Sequence, residues 1–206
     1  MFVDRNDAAR QLADAMAPLR GQHPLVLAIP RGAVPMGRVI AQSLGGDFDV
    51  VLVRKLRAPR QPELAIGSVD ETGWRHLSPY AADTGADHAY IEAEALRQLA
   101  TIRERRARYA PLRAPVDPAG RVVVVVDDGL ATGATMVAAL HSLRQRRPAR
   151  LVCAVPVASA EALALVRPLA DEVVCLQVPR HFQAVGQFYR DFPQVEDEEV
   201  LALLRG

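Results

Sequence analysis

The sequence VVVVVDDGLATGAT, residues 122–135, joins five valines to two aspartates and a short loop of small and hydroxyl residues. An apolar run bounded by polar residues is typical of a strand that is buried on both faces of a parallel sheet. In open sheets of this kind, ligands bind beyond the carboxyl ends of the strands. The stretch therefore predicts a central strand with a binding site at its end, where Asp127 and Asp128 lie.

Helical and strand-like patterns alternate through the rest of the chain. The periodicity and the flanking turn residues predict helices at residues 7–19, 35–43, 87–109, 134–146 and 161–169. They predict strands at residues 24–30, 47–56, 121–128, 150–159 and 171–179, and a hairpin at 63–78 that turns at 71–73. This order indicates an α/β fold with a central, mostly parallel sheet flanked by helices.

The composition suits one compact domain over residues 1–206. Half of the residues are hydrophobic and the formal net charge is +1, so the composition predicts no membrane partner and disfavours nucleic acid. No apolar run approaches the roughly 18 residues that span a bilayer, and the first residues lack the apolar segment of a secretory signal. Cys153 and Cys175 lie in apolar runs, which predicts buried thiols. We therefore expect a cytoplasmic protein.

The loop after the two aspartates has the features of a phosphate site. Backbone amides of residues 132–135, at the start of a predicted helix, could converge on an anion, and the helix dipole would favour it. Neither GxxxxGK[ST] nor GxGxxG is present, which argues against nucleoside triphosphate and dinucleotide sites of the usual kinds. Asp127 and Asp128 could accept hydrogen bonds from two vicinal hydroxyls and hold a hydrated Mg²⁺. A sugar phosphate fits this pattern.

The stretch VVVVVDDGLATGAT resembles the phosphoribosyl diphosphate (PRPP) signature of the type I phosphoribosyltransferases, and the wider motif pattern is most similar to their adenine-type members. The resemblance implies the type I fold, with a small hood and a mobile loop. It implies that Asp127 and Asp128 face the ribose hydroxyls and bind Mg²⁺ through water. The loop that would wrap the 5-phosphate consists of Ala131, Thr132, Gly133, Ala134 and Thr135, and Gly129 is a further candidate for substrate binding.

The segment AIPRGAVPMG is similar to the pyrophosphate loop of that family. There Arg31 would bind phosphate oxygens, Gly32 would let the backbone approach them, and the peptide bond entering Arg31 is the candidate for a non-proline cis bond. The segment VRKLRAPRQPELAIGSV is similar to the part that closes over the diphosphate. It makes Arg54 and Lys55 candidates for the leaving group, within a mobile loop and hairpin at about 54–80.

The residues that would bind the acceptor differ from those of the enzymes that the chain resembles. FYRDF is similar to a segment near the end of hypoxanthine-guanine enzymes, which makes Arg190 a candidate pyrophosphate contact and Phe188 and Tyr189 candidate stacking residues in a hood at about 179–206. Core packing of the two aromatic rings is the alternative. Hypoxanthine-guanine enzymes carry an acid where this chain has Ala131. Adenine-type enzymes carry a glutamate where it has Ala65.

Glu63, two residues before Ala65, is the remaining candidate for a general base, with a surface role as its alternative. The implied reaction is Mg²⁺-dependent transfer of the phosphoribosyl group of PRPP to a nitrogenous base, with release of pyrophosphate, as in nucleotide salvage. Arg31, Lys55 and Glu63 are its candidate catalytic residues. A PRPP-binding regulator without catalysis and a phosphosugar hydrolase stay open as alternatives, and a homodimer is one assembly to be tested.

Overall fold

The structure is a computed structural model that describes residues 1–112 and 114–205. Its α-helices are α1 (Arg5–Ala15), α2 (Val34–Leu44), α3 (His88–Tyr109), α4 (Ala134–Gln145), α5 (Ala160–Val166) and α6 (Asp197–Arg205). Its strands are β1 (Leu25–Ala28), β2 (Asp47–Val50), β3 (Val53–Ala58), β4 (Gln61–Asp70), β5 (Arg75–Leu77), β6 (Val122–Val126), β7 (Arg150–Val157) and β8 (Glu172–Gln177). Short 3₁₀ turns lie at Ala17–Leu19, Ala82–Thr84, Arg167–Leu169 and Val185–Phe188.

The central sheet has five parallel strands in the order β2-β1-β6-β7-β8. The valine strand β6 lies in the middle, and Val123 is the register partner of Leu25 on one side and of Leu151 on the other. The α/β fold with a parallel sheet flanked by helices is confirmed. Strand β6 ends at the edge of the sheet where the two aspartates begin.

The valines of β6 fill the space on both faces of the sheet. Val124 and Val126 belong to the core cluster that includes Leu12 of α1 and Ile40 of α2. Val123 and Val125 belong to the opposite cluster, which includes Leu140 of α4. A strand covered by helices on both sides needs apolar residues at every position, because successive side chains point to opposite faces.

The predicted strand at 47–56 is wrong in one respect, because it is two strands in two different sheets. Strand β2 ends at Val50, and β3 begins at Val53 in a three-stranded antiparallel sheet of order β3-β4-β5. The Asp49 carboxylate, which accepts hydrogen bonds from the amides of Val50 (2.8 Å) and Val116 (3.0 Å), stabilises the chain at this exit. The apolar run continues through the exit, so hydrophobicity alone could not show where the pairing partner changes.

The small sheet is anchored beside the start of α4. The hairpin between β4 and β5 turns where predicted, and the Asp70 carboxylate accepts the amides of Thr72 (2.8 Å) and Trp74 (3.0 Å). Ser68 donates its hydroxyl to the Ala134 carbonyl at 2.7 Å. The ring of Trp74 stacks on His141 of α4 at 3.6 Å between centroids. These contacts fix the root of the small sheet next to the predicted phosphate loop.

The first helix starts two residues earlier than predicted, because Asp4 caps it by accepting the amide of Asp7 at 2.7 Å. The segment before it pairs with residues near the end of the chain: the Phe2 amide donates to the Phe188 carbonyl and the Arg190 amide donates to the Phe2 carbonyl, both at 2.8 Å.

Cys153 is buried and Cys175 is half-buried, both as free thiols. Within residues 1–112 and 114–205, none of the helices is both long and apolar enough to cross a bilayer.

Candidate functional site

A cleft of about 430 Å³ opens between the carboxyl end of the central sheet and the small antiparallel sheet. The residues 127–133 and 135 that line it are called the sheet-edge wall. Arg54, Lys55, Arg57 and Arg105 also line it and are called the cationic wall. The other residues that line the cleft are Ile29, Pro30, Gly32, Val53, Pro62, Glu63, Ala65, Met136 and Val185.

The predicted phosphate loop lies in the sheet-edge wall and leads directly into α4. Gly133 has a φ of +75°, a left-handed conformation that glycine adopts without steric cost, and it is the residue before the helix. The first helical hydrogen bond runs from the Val137 amide to the Gly133 carbonyl (2.9 Å), so the amides just before Val137 have no partner within the helix. Thr132, Gly133 and Thr135 line the cleft. This arrangement can accept an anion at the positive end of α4.

Asp127 and Asp128 are the part of the sheet-edge wall that directly follows β6. Burial, followed by the negative charge of Asp128, raises the pKa of Asp127 well above its ordinary value. Burial also raises the pKa of Asp128, although the nearby Arg5 guanidinium opposes that shift. Two carboxylates held this close and this deep are costly unless cations or hydroxyl donors compensate them.

Arg5 of α1 contacts the second of these acids. Its Nε and Nη2 donate to Asp128 Oδ2 at 3.2 and 3.0 Å, and its Nη1 donates to the Pro193 carbonyl at 2.6 Å. The guanidinium also lies 3.7 Å from the centroid of the Phe192 ring. One arginine therefore connects α1, the acid pair and the segment before α6.

The Pro30–Arg31 peptide bond, which follows shortly after the end of β1 at Ala28, is cis as predicted. Gly32 follows it and packs so closely against Asp128 that a Cβ atom at this position would overlap Asp128 Oδ2. The side chain of Arg31 does not join the cleft. Its Nη1 lies 3.5 Å from Glu196 Oε2 and 3.6 Å from Asp197 Oδ1, at the start of α6.

The cationic wall concentrates positive charge. Arg54 is half-buried and donates from Nε to Gln98 Oε1 at 2.8 Å. Burial, followed by the charges of Arg105 and Arg57, lowers the pKa of Arg54. These like charges repel one another, so a polyanion bound against this wall would relieve the repulsion.

Comparison with known proteins identifies the family to which the chain belongs. The family model described as a phosphoribosyl transferase domain matches residues 3–193. The chain belongs to the phosphoribosyl transferase domain family. It is 44% identical to a provisionally named phosphoribosyl transferase of Mycobacterium tuberculosis, Rv0571c, over 205 residues, which are 99% of this chain and 46% of that protein. The chain thus spans about half the length of the curated relatives that it matches.

Two further relatives extend the comparison. The crystal structure of TT1426 from Thermus thermophilus has 50% sequence identity and a TM-score of 0.83, and the match covers 99% of this chain and 97% of that one. The adenine phosphoribosyltransferase of Rhodospirillum centenum is 34% identical over 92 residues, 42% of this chain and 53% of that protein. Thus TT1426 resembles this phosphoribosyl transferase domain over its whole length, whereas the adenine enzyme resembles less than half of it.

The predicted site residues of the phosphoribosyl transferase domain fall into two groups. The structure brings Asp127, Asp128, Gly32, Arg54 and Lys55 to one cleft, together with Gly129, Ala131, Thr132, Gly133 and Thr135. Ala134 is the first residue of α4 and does not line the cleft. Glu63 is an exposed residue of β4 that lines the same cleft, and its role as a base stays a prediction. Arg31 points to α6 instead. Arg190 is exposed, and its backbone amide donates a hydrogen bond to the Phe2 carbonyl.

The two predicted stacking residues pack among other aromatic rings. Tyr189 is 5% exposed, and its ring centroid lies 5.4 Å from that of Phe2 and 4.7 Å from that of Phe192. Its hydroxyl donates to the Asp128 carbonyl at 2.7 Å. The ring of Phe188 packs on Phe182 at 5.3 Å. Tyr189 thus reaches the site through its hydroxyl, which supports the backbone of the acid pair.

Sequence reasoning missed two residues of the phosphoribosyl transferase domain. Arg5 lies 123 positions before Asp128, and a single arginine in a polar helix start carries no local signal of such a contact. Arg105 belongs to the charged helix α3, which resembles a solvated surface in sequence, although its half-buried side chain lines the cleft. Only the folded position of α3 beside β3 could have identified it.

Proposed function

We propose that this domain is a phosphoribosyltransferase that moves the phosphoribosyl group of PRPP to a nitrogen nucleophile, a nucleobase or another nitrogen acceptor, and releases pyrophosphate. The observation that carries the proposal is the division of one cleft into two walls of different chemistry. The sheet-edge wall offers amides and carboxylates, and the cationic wall offers guanidinium and ammonium groups. PRPP itself carries a 5-phosphate and ribose hydroxyls at one end and a diphosphate at the other.

The 5-phosphate would lie against the amides before Val137, at the positive end of α4. The ribose hydroxyls would then donate to Asp127 and Asp128. This orientation directs the diphosphate on C1 toward Arg54, Lys55 and Arg105. In the reaction the C1–O bond breaks, negative charge grows on the departing diphosphate, and the acceptor nitrogen forms the new bond to C1. The nitrogen gives up its proton to Glu63, the candidate base, or to water. The domain needs no nucleophile of its own, because cations that stabilise the departing charge lower the barrier.

The acid pair fits a hydrated Mg²⁺. Magnesium prefers oxygen ligands and commonly keeps several of its waters, so two carboxylates that bind it through water are a suitable donor set. The raised pKa values of Asp127 and Asp128 indicate that both carboxylates would gain from a nearby cation. When bound, Mg²⁺ would add positive charge beside the diphosphate. Asp127 and Asp128 would be the residues that hold it.

A non-catalytic PRPP-binding regulator is the second candidate, and one observation favours it. Ala131 and Ala65 both line the cleft, at the two positions where the sequence resemblance leads us to look for an acid. Without a proton acceptor near the incoming nitrogen, the site would bind PRPP without turning it over. Glu63 is the residue on which the distinction depends.

The test is a pyrophosphate-release screen with PRPP, Mg²⁺ and a panel of nucleobases and amines, run beside a no-acceptor control. Release that requires one acceptor supports the transferase and identifies its substrate class. Release without any acceptor would indicate a phosphosugar hydrolase. PRPP binding in calorimetry without release in any sample would indicate the regulator.

A further inference from the structure

The contact between Arg5 and Asp128 is unusual for a surface helix. Arg5 is the first residue of α1 and is only 9% exposed, with all of the donors described above directed at Asp128 or Pro193. Burying a guanidinium costs free energy that its carboxylate partner must offset. A packing role alone would be served as well by an apolar side chain of similar size.

The geometry shows what this arginine does to the acid. Both contacts from Arg5 to Asp128 fall on the same oxygen, Oδ2. Gly32 of the predicted pyrophosphate loop packs against that oxygen, and there is room for the oxygen only because Gly32 has no Cβ atom. The Tyr189 hydroxyl holds the main-chain carbonyl of the same residue. Asp128 is therefore fixed by contacts from three separate parts of the chain.

We propose that Arg5 is a positioning residue, which holds the Asp128 carboxylate in the orientation that accepts the ribose hydroxyls of the sugar phosphate. The proposal rests on the proposed function, because it takes the ligand to be a ribose 5-phosphate derivative. Arg5 acts through Asp128 and does not itself contact the ligand. It makes the N-terminal segment a part of the binding site.

A purely structural role for Arg5 predicts something different. If Arg5 only joined α1 to the segment around Phe192 and Pro193, its loss would weaken the binding of every ligand of the cleft by a similar factor. If Arg5 orients Asp128, its loss should affect only ligands that carry the hydroxyls. A pair of ligands that differ in the hydroxyls separates these roles.

The experiment uses calorimetry in Mg²⁺ buffer with methyl ribofuranoside 5-phosphate and with its 2,3-dideoxy analogue. The proteins are the wild type, Arg5→Met, Arg5→Lys and the control Arg10→Met, which changes an exposed arginine of the same helix. We expect Arg5→Met to weaken binding of the dihydroxy ligand about tenfold, the factor expected for about 1.4 kcal/mol, and to change binding of the dideoxy ligand less than about twofold. Arg5→Lys should recover part of the loss, and Arg10→Met should behave as wild type.

Equal losses for both ligands in Arg5→Met would overturn the proposal, and so would unchanged affinity for both. If Arg5→Met does not fold, Arg5→Gln, which is uncharged, replaces it, and wild-type preference for the dihydroxy ligand in that variant would overturn the proposal as well. A wild-type protein that does not distinguish the two ligands would instead contradict the proposed function. The two failures are therefore distinguishable.

Discussion

The two walls of the cleft are built in different ways. The sheet-edge wall consists of backbone amides and short side chains at the end of the central strand β6, held between β1 and β7. The cationic wall consists of long side chains that come from the small sheet and from α3. The first wall is ready for its ligand before the ligand arrives. The second must collect flexible cations around a charge, so we expect binding to depend on the first wall and turnover on the second.

Two neighbouring residues of the predicted pyrophosphate loop, Arg31 and Gly32, differ in the same way as the two walls. Gly32 packs against Asp128 of the sheet-edge wall, whereas the side chain of Arg31 pairs with Glu196 and Asp197 at the start of α6. If Arg31 takes part in the reaction, it must first leave these acids. The predictions below test each wall in turn, beginning with the largest expected effect.

Gly32→Ala should cause the largest loss of PRPP binding. The added methyl group would overlap Asp128 Oδ2, so the carboxylate must move and its contacts with Arg5 must lengthen. Charged hydrogen bonds of this kind contribute about 1.5–3 kcal/mol each, so we expect PRPP affinity to fall about 100-fold. Calorimetry with PRPP and Mg²⁺ measures it, and far-ultraviolet circular dichroism checks the fold. Wild-type PRPP affinity in a folded Gly32→Ala protein would show that the Asp128 carboxylate can move without loss of binding, which would contradict a rigid sheet-edge wall.

Lys55→Ala should separate binding from turnover on the cationic wall. Lys55 is exposed at the cleft and would act mainly on the charge that develops as the C1–O bond breaks. With the acceptor found in the screen, we expect kcat to fall about 10- to 100-fold while the dissociation constant of PRPP changes less than about threefold. The matched control is Arg103→Ala, an exposed cation of α3. A larger effect on PRPP affinity than on kcat would give the cationic wall a binding role instead.

The two walls also differ in how well the sequence predicted them. Residues 122–135 are contiguous in the sequence. Their apolar run, acids and glycine identify the strand, the acid pair and the phosphate loop in one local pattern. The cationic wall depends on the separation of β3 from β2 and on the placement of α3 over β3, which are tertiary facts. Arg54 and Lys55 were predicted from the resemblance of VRKLRAPRQPELAIGSV to the part of the family that closes over the diphosphate, whereas Arg105 lies in a helix whose charge pattern looks solvated. Arg31 shows what the sequence could not predict. Its position in the sequence is that of a phosphate ligand, but its side chain pairs with acids at the start of α6, which lies far along the chain.

Asp127→Asn should stabilise the folded protein, with a modest effect that depends on pH. Burial and the Asp128 charge raise the pKa of Asp127, so the folded state binds this proton more tightly than the unfolded state does. Stability is therefore lost as the pH rises from the ordinary carboxyl pKa through the raised one. Asparagine lacks this charge and keeps an Oδ1 that can accept the Asp128 amide. We expect Tm to rise by about 2–4 °C at pH 8, which is about 1 kcal/mol for a chain of this size, and by less at pH 4.5.

Differential scanning calorimetry at the two pH values measures this effect. A Tm difference that is the same at pH 4.5 and pH 8 would mean that the Asp127 carboxylate is not strained by its surroundings. Loss of PRPP affinity in the same variant is expected, because a charged acceptor for the ribose hydroxyls is removed. The variant would thus show a site residue whose charge serves binding at the expense of stability.

The smallest expected effect concerns the ion pairs that keep Arg31 at α6. Arg31 lies at 3.5 and 3.6 Å from Glu196 and Asp197, and Asp197 also pairs with Arg108 at 3.2 Å. Partly exposed pairs of this kind are worth less than about 1 kcal/mol, so releasing Arg31 should increase PRPP affinity only about two- to fourfold. The double variant Glu196→Gln with Asp197→Asn makes this change, and Glu198→Gln, at an exposed neighbouring position of α6, is its control. An increase in PRPP affinity in the double variant alone would make Arg31 a part of the cationic wall. The increase should be largest at low ionic strength, because salt screens such pairs. Unchanged or weaker affinity would leave Arg31 as a structural contact of α6, and the diphosphate would then depend on the cationic wall.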